Sequence, residues 1–266
     1  MLHIDDFEAY CFDLDGTIYV GNQLLPGVKE TIDIIRRNHK KILFITNAPT
    51  HTREDCHQLL CSLGVSAELD EVITASSLSA TYFLENFPHA IIYIVGERAI
   101  KQEFTRNSLN ITEDPLEATH VLVGLDRSFT YEKLNSAMNA IRNGAQLIVT
   151  NPDPSCPVPG GYMADTLAIA KAIEVASDKS IDQVIGKPSS YYANKIREKL
   201  STSSDKCLIV GDRLETDIMM GKTNNIQTCL VLTGVSSKKD IERTNITPDY
   251  IIEDLKELFS DTRNPS

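Results

Sequence analysis

Asp13 and Asp15 stand two residues apart in Asp13-Leu14-Asp15-Gly16-Thr17, directly after the apolar run Ala9-Tyr10-Cys11-Phe12. At the end of a buried strand such a pair suits phosphoryl transfer. One carboxylate can attack phosphorus, the other can carry a proton, and a bound cation can offset their repulsion. The same residues also suit a plain turn, since Asp and Gly commonly lead a chain out of a strand. The other motifs decide between the two.

Three further segments carry groups that fit this chemistry. In Lys41-Ile42-Leu43-Phe44-Ile45-Thr46-Asn47 a Thr ends an apolar strand, where its hydroxyl and the next backbone N–H can both donate to phosphate oxygens. In Ile185-Gly186-Lys187-Pro188 a lysine sits between a strand end and a helix whose first position suits Pro188, so its ammonium can reach the mouth of a sheet. In Cys207-Leu208-Ile209-Val210-Gly211-Asp212-Arg213-Leu214-Glu215-Thr216-Asp217 a strand delivers Asp212, a candidate ligand for a hard divalent cation. Asp217 follows near a helix start, where it can cap the helix or orient a metal-bound water. Two imitations fail on spacing. Gly221-Lys222-Thr223 lacks the glycine five residues earlier that a phosphate-binding P-loop needs, because Thr216 stands there. Asp13-Leu14-Asp15-Gly16 has its glycine at the fourth position of the loop, whereas a calcium loop needs it at the sixth.

These groups need elements to position them. Short apolar runs recur at Ala9–Phe12, Ile42–Ile45, Ile91–Val95, Val121–Val123, Leu147–Val149, Cys207–Val210, Cys229–Leu232 and Tyr250–Ile252. Being apolar at consecutive positions, they read as strands covered on both faces, as in a parallel sheet. Amphipathic helical patterns alternate with them at 28–37, 53–63, 77–87, 130–142, 166–176, 189–200 and 216–225. The alternation predicts an α/β chain with a Rossmann-like, doubly wound parallel sheet, whose ligands gather at the carboxyl ends of the strands. About ten strands are too many for a common open sheet. The expected division is therefore a core of 1–78 and 181–266 with a second α/β domain, 79–180, inserted into it. The Pro/Gly-rich stretch Asn151–Gly161 reads as a hinge or lid loop, and the tail after Phe259 as frayed.

Composition excludes several classes. The 266 residues are 42% hydrophobic and 24% charged, as in a globular chain. A net charge of −11 excludes a general nucleic-acid or anionic-membrane surface. A small anionic substrate then depends on individual cations such as Lys187. The six cysteines form no CxxC pair and read as reduced thiols, with no zinc site. No apolar leader precedes Asp5-Asp6, and no apolar stretch approaches the roughly 18 residues of a spanning helix, so a cytoplasmic protein is expected.

The four elements, in this order and each at a strand end, resemble the haloacid dehalogenase superfamily of phosphohydrolases. Val95-Gly96-Glu97, Val123-Gly124-Leu125-Asp126-Arg127, Thr150-Asn151-Pro152-Asp153 and Ile185-Gly186-Lys187-Pro188-Ser189 are similar to the NagD and p-nitrophenyl-phosphatase branch, with its α/β cap. The resemblance implies Mg²⁺-dependent hydrolysis of small phosphate monoesters of the sugar-phosphate kind. Asp13 would be the nucleophile that forms an aspartyl-phosphate, and Asp15 the proton shuttle. Mg²⁺ would be held by Asp13, the Asp15 carbonyl and Asp212, with Asp217 behind them. Thr46, the Asn47 backbone and Lys187 would hold the phosphoryl group. A phosphotransferase or mutase using the same intermediate, and a non-catalytic metabolite-binding module, are the alternatives. The expected partner is a small phosphorylated metabolite, with no nucleic acid or membrane, and a homo-oligomer is left open. Arg127 and 151–165 are the candidate specificity positions of the cap. The chain departs from the branch at Ala48-Pro49-Thr50, where a further Asn and Ser usually follow.

Overall fold

A computed structural model describes residues 2–158 and 160–259; the tail after Phe259 lies outside them. The chain forms two compact units. The first comprises Met1–Thr46, Glu54–Ile73 and Lys187–Ser266, the second Asn47–Arg53 and Thr74–Gly186.

The first unit is organised by a six-stranded sheet in the order Tyr250–Ile252, Gln227–Val231, Cys207–Gly211, Ala9–Asp13, Lys41–Thr46 and Val72–Thr74. Ala9–Asp13 runs parallel to both neighbours, pairing Phe12 with Val210 on one side and Asp13 with Ile45 on the other. Every residue of Ala9–Asp13 and of Cys207–Gly211 is buried, which is why both read as unbroken apolar runs. The first strand lies in the middle of the sheet. The chain winds outward from it in one direction through Lys41–Thr46 and in the other through Cys207–Gly211. That reversal is a topological switch point, where helices cross to opposite faces and a crevice opens at the strand ends. Helix Val28–Arg37 buries Val28, Thr31, Ile32 and Ile35 and turns its charges outward, as its periodicity predicts.

The second unit has a five-stranded parallel sheet in the order Gln183–Val184, Gln146–Val149, His120–Val123, Ile91–Val95 and Asn110–Thr112. Ala137, Ala140 and Ile141 of helix Tyr131–Arg142 share its core with Ile169, Ala170 and Ile173 of helix Thr166–Ser177. The stretch expected to be a loop contains an antiparallel hairpin, Ser155–Val158 with Gly161–Ala164, in which Pro157 pairs with Tyr162. A two-stranded ribbon tolerates proline because each strand keeps an edge where a missing N–H breaks no ladder bond. Helices Arg98–Arg106 and Lys238–Thr244 were not anticipated by the sequence pattern. Among the described residues, no helix is long and apolar enough to cross a membrane.

Candidate active site

Parallel pairing sets Asp13 and Asp212 side by side. Asp13 ends the central strand, and Asp212 follows Gly211, the last residue of the strand beside it. Asp13 is 7% exposed, Asp212 3%, and Asp217 and Lys187 1% each. The Lys187 ammonium lies between two carboxylates, 2.5 Å from Asp13 Oδ1 and 2.6 Å from Asp217 Oδ1, and donates more distantly to the Ile45 carbonyl at 3.5 Å. Carboxylate oxygens of Asp13, Asp212 and Asp217 all lie within 4.8 Å of one another.

The electrostatics follow from that count of charges. Burial opposes the ammonium of Lys187, but Asp13 and Asp217 outweigh it and hold the lysine protonated. Burial pushes Asp13 well above the usual carboxylate range, with Asp217 and Asp212 adding to the push and Lys187 opposing it. Asp212 is pushed up to about 6, first by burial and then by Asp217, against the Val235 N–H that favours its charge. Three buried acids face one ammonium, so each carboxylate that ionises beyond the first adds uncompensated negative charge, and all the donors are hard oxygens. This is the ligand chemistry of a hard divalent cation. Both oxygens of Asp217 are already engaged, Oδ1 by Lys187 and Oδ2 by the Arg213 N–H at 3.2 Å, so it stands behind Asp13 and Asp212.

Asp217 lies in the wide helical turn Leu214–Ile218 that leads into helix Met219–Thr223. Pro188 does not take the first helical position expected for it: the helix is Ser190–Leu200, and Ser189 caps it by accepting the Tyr192 N–H at 3.1 Å. The Ser189 side chain offers that N–H a partner, so the helix starts two residues later than a proline rule suggests. Thr46 is buried at the end of its strand. Its N–H donates to the Tyr192 hydroxyl at 3.1 Å, and that hydroxyl donates to the Ile73 carbonyl at 2.8 Å. Asp15, two residues beyond Asp13, is exposed. Asn47 opens the second unit, where its side-chain amide donates to Asp153 Oδ2 at 2.9 Å. Arg127, also in the second unit, grips Glu97 with Nε and Nη2 at 2.6 and 2.7 Å.

Sequence reasoning passed over the segment that seats Asp212. After strand Gln227–Val231, the Val235 N–H donates to Asp212 Oδ2 at 2.6 Å and the Thr233 hydroxyl to the Gly16 carbonyl at 2.6 Å. Two glycines make room for this carboxylate. A Cβ on Gly234 would lie 2.0 Å from Asp212 Oδ2, and one on Gly16, whose φ is +86°, would lie 2.6 Å from the same atom. The signal was present: Thr233-Gly234 is a small polar residue followed by glycine beyond a buried strand.

A central strand at a switch point, with two buried acids and a lysine at its tip, sets groups suited to phosphoryl transfer at the carboxyl end of an α/β sheet. A sequence model of the haloacid dehalogenase-like hydrolases matches residues 10–110, and a HAD-hydrolase-like model matches 184–258. The Sugar-phosphatase AraL of Bacillus subtilis is 33% identical over 246 residues, 92% of this chain and 90% of that protein. The solved structure of 4-nitrophenylphosphatase from Thermotoga maritima superposes with a TM-score of 0.90 at 32% identity, covering 96% of this chain and 97% of that one. NagD of E. coli K-12 superposes with a TM-score of 0.85 at 28% identity, over 94% and 98%. The chain belongs to the haloacid dehalogenase-like hydrolase family, and within it to the phosphatases of the NagD and nitrophenylphosphatase kind.

Proposed function

We propose that the chain hydrolyses phosphate monoesters of small molecules, of the sugar-phosphate class, through an aspartyl-phosphate on Asp13. The observation that carries this reading is the Lys187 ammonium bridging Asp13 and Asp217 at 2.5 and 2.6 Å, with Asp212 in the same carboxylate cluster. The likeness to AraL, a sugar-phosphatase, supports the substrate class. Mg²⁺ is the proposed cation, held by Asp13, the Asp15 main-chain carbonyl and Asp212. When bound, it neutralises charge on the phosphoryl oxygens and on the cluster.

Each residue then has a task. Asp13, its carboxylate fixed by Lys187, attacks phosphorus as the ester P–O bond breaks. Asp15 gives its proton to the leaving oxygen. It then takes a proton from the water that attacks the aspartyl-phosphate, releasing orthophosphate and restoring the Asp13 carboxylate and the Asp15 carboxylic acid. The exposure of Asp15, against the burial of Asp13, suits a group that must exchange protons. The Thr46 hydroxyl and the Asn47 N–H donate to phosphoryl oxygens, whose charge grows during transfer. Lys187 keeps the nucleophile oriented and adds the positive charge that a chain of net charge −11 otherwise lacks.

The test is turnover of p-nitrophenyl phosphate and of a sugar-phosphate panel by wild type and Asp13→Asn, with phosphate release measured against ester consumed. Wild type should release one phosphate per ester, and Asp13→Asn should lose more than about a thousandfold in kcat. Unchanged turnover in Asp13→Asn overturns the mechanism.

A further inference from the structure

The cysteines, the exposed apolar side chains and the Arg127–Glu97 pair lead to no second site. A buried carboxylate in the second unit does carry an inference. Asp153 is 7% exposed, and its Oδ2 accepts two amide N–H groups, from Asn47 at 2.9 Å and from Asn151 at 2.8 Å. Asn151, 1% exposed, is fixed in turn by the Thr150 hydroxyl at 2.9 Å on its Oδ1. The Asp153 carbonyl accepts the Leu167 N–H at 2.9 Å. The main chain closes the group from the other side. The Gly186 N–H donates to the Thr150 carbonyl at 2.7 Å, and a Cβ on Gly186 would lie 2.6 Å from both Asn47 Oδ1 and that carbonyl. Asn47, Thr150–Asp153 and Gly186 therefore form one packed knot within the second unit. The residues that follow it outward along the chain are Thr46 on one side and Lys187 on the other.

A carboxylate buried this far is costly unless its oxygens are hydrogen-bonded, and an apolar side chain of similar size fills such a space at lower cost. A single oxygen shared by two amides instead fixes direction: it ties the Asn47 side chain to Asp153 and, through it, to Asn151. We propose that Asp153 is a positioning residue for the phosphoryl site. Through the Asn47 amide it holds the Thr46–Asn47 peptide in the orientation that presents its N–H to the phosphoryl group, and the Thr150–Gly186 bond holds the approach to Lys187. This rests on the phosphoryl-binding roles proposed for Thr46, Asn47 and Lys187.

The experiment uses the full chain, with Asp153→Ala, Asp153→Asn, Asn47→Ala and the double variant Asn47→Ala/Asp153→Ala. Asparagine keeps a carbonyl oxygen for the two amides, and alanine does not. Four quantities are read: kcat/KM on p-nitrophenyl phosphate, the Ki of inorganic phosphate, the half-saturating Mg²⁺ concentration and the melting temperature. Asp153→Ala should lower kcat/KM by about 10- to 100-fold, as expected for misplacement on the order of an ångström. It should raise the phosphate Ki about tenfold and leave Mg²⁺ half-saturation within about twofold, while Asp153→Asn returns to within about threefold of wild type. Because the pair acts through one bond, the double variant should be no worse than the worse single variant. The inference is overturned if Asp153→Ala keeps the wild-type phosphate Ki, if Asn and Ala are equally impaired, or if the two alanine losses add. If Asp153→Ala does not fold, Asn47→Ala decides alone, and an unchanged phosphate Ki in it overturns the inference. Failure of the underlying mechanism has a different signature, which is turnover surviving in Asp13→Asn.

Discussion

Replacing Lys187 by methionine keeps most of the side-chain volume and removes the ammonium that bonds both Asp13 and Asp217. In wild type that ammonium is 2.5 Å from Asp13 and 2.6 Å from Asp217. Each pair represents roughly 6 kcal/mol of attraction at an effective dielectric of about 20, most of it offset by the desolvation of both partners. What remains after the substitution is three buried carboxylates within 4.8 Å of one another. Losing one partner of a buried pair costs about 3–5 kcal/mol, and the double contact puts Lys187→Met at the upper end. Urea unfolding followed by circular dichroism, in metal-free buffer near neutral pH, measures this directly. Adding Mg²⁺ should recover part of the loss, because bound cation replaces part of the missing positive charge. Adding Asp217→Asn should also recover part of it, because one surplus charge is gone. The activity of Lys187→Met should fall by at least about a hundredfold even with Mg²⁺ saturating, since an oriented charge at the reacting group is lost. A metal-free unfolding free energy within about 1 kcal/mol of wild type, or a further loss on adding Asp217→Asn, would refute the charge balance described for the cluster.

Gly234→Ala places a methyl 2.0 Å from Asp212 Oδ2, so the carboxylate must move. The expected result is a stability loss of about 1–3 kcal/mol and a half-saturating Mg²⁺ concentration raised at least about tenfold, with wild-type Mg²⁺ dependence as the refuting outcome. A second expectation concerns pH. A carboxyl raised to about 6 in the folded chain is penalised for ionising: the penalty is complete above that pH and vanishes as pH falls toward the unfolded value. On this group's account the metal-free protein gains stability on going from about pH 7 to about pH 4, whereas cation binding needs the ionised form. The rise in melting temperature caused by Mg²⁺ should therefore be larger at about pH 7.5 than at about pH 5, and equal rises would contradict a role for Asp212 as ligand.

The architecture was legible wherever strands are buried on both faces. Ile91–Val95 was read to the residue, and the central strand to within one, because continuous apolar runs flanked by turn residues have few other structural meanings. Three of the four edge strands of the two large sheets were not legible; the fourth, Tyr250–Ile252, was read to the residue from its apolar run alone. Val72–Thr74, Asn110–Thr112 and Gln183–Val184 are only two or three residues long, too short for any periodicity, and they form because a neighbouring strand offers a template. Helix Arg98–Arg106 was missed for a different reason. It buries Glu103 along with Ala99, Ile100 and Phe104, and the charged residue breaks the apolar pattern. Its carboxylate accepts the Arg53 N–H at 2.9 Å, a bond between residues 50 apart that no local reading contains. In the site, Lys187 and Asp212 were legible as polar residues after strands. Their burial, and the second contact of Lys187 to Asp217, depend on how five separate segments close around them.

That burial has a consequence for the order of events at the site. Asp13, Asp212 and Asp217 set three buried acids against the Lys187 ammonium, and each that ionises beyond the first gives the cluster surplus negative charge before any substrate arrives. A phosphate monoester brings up to two more negative charges, and in a water-poor crevice the repulsion is far stronger than in solvent. The hydrogen bonds proposed from Thr46 and the Asn47 backbone would be directional but carry no net charge, so they could not reverse the sign of the field. Phosphate affinity and cation affinity at this site must therefore rise together, each strengthening the other by the same factor. On the proposed roles, an acidic chain gains selectivity in this way, because the site binds a phosphate ester more tightly with a cation present than without one.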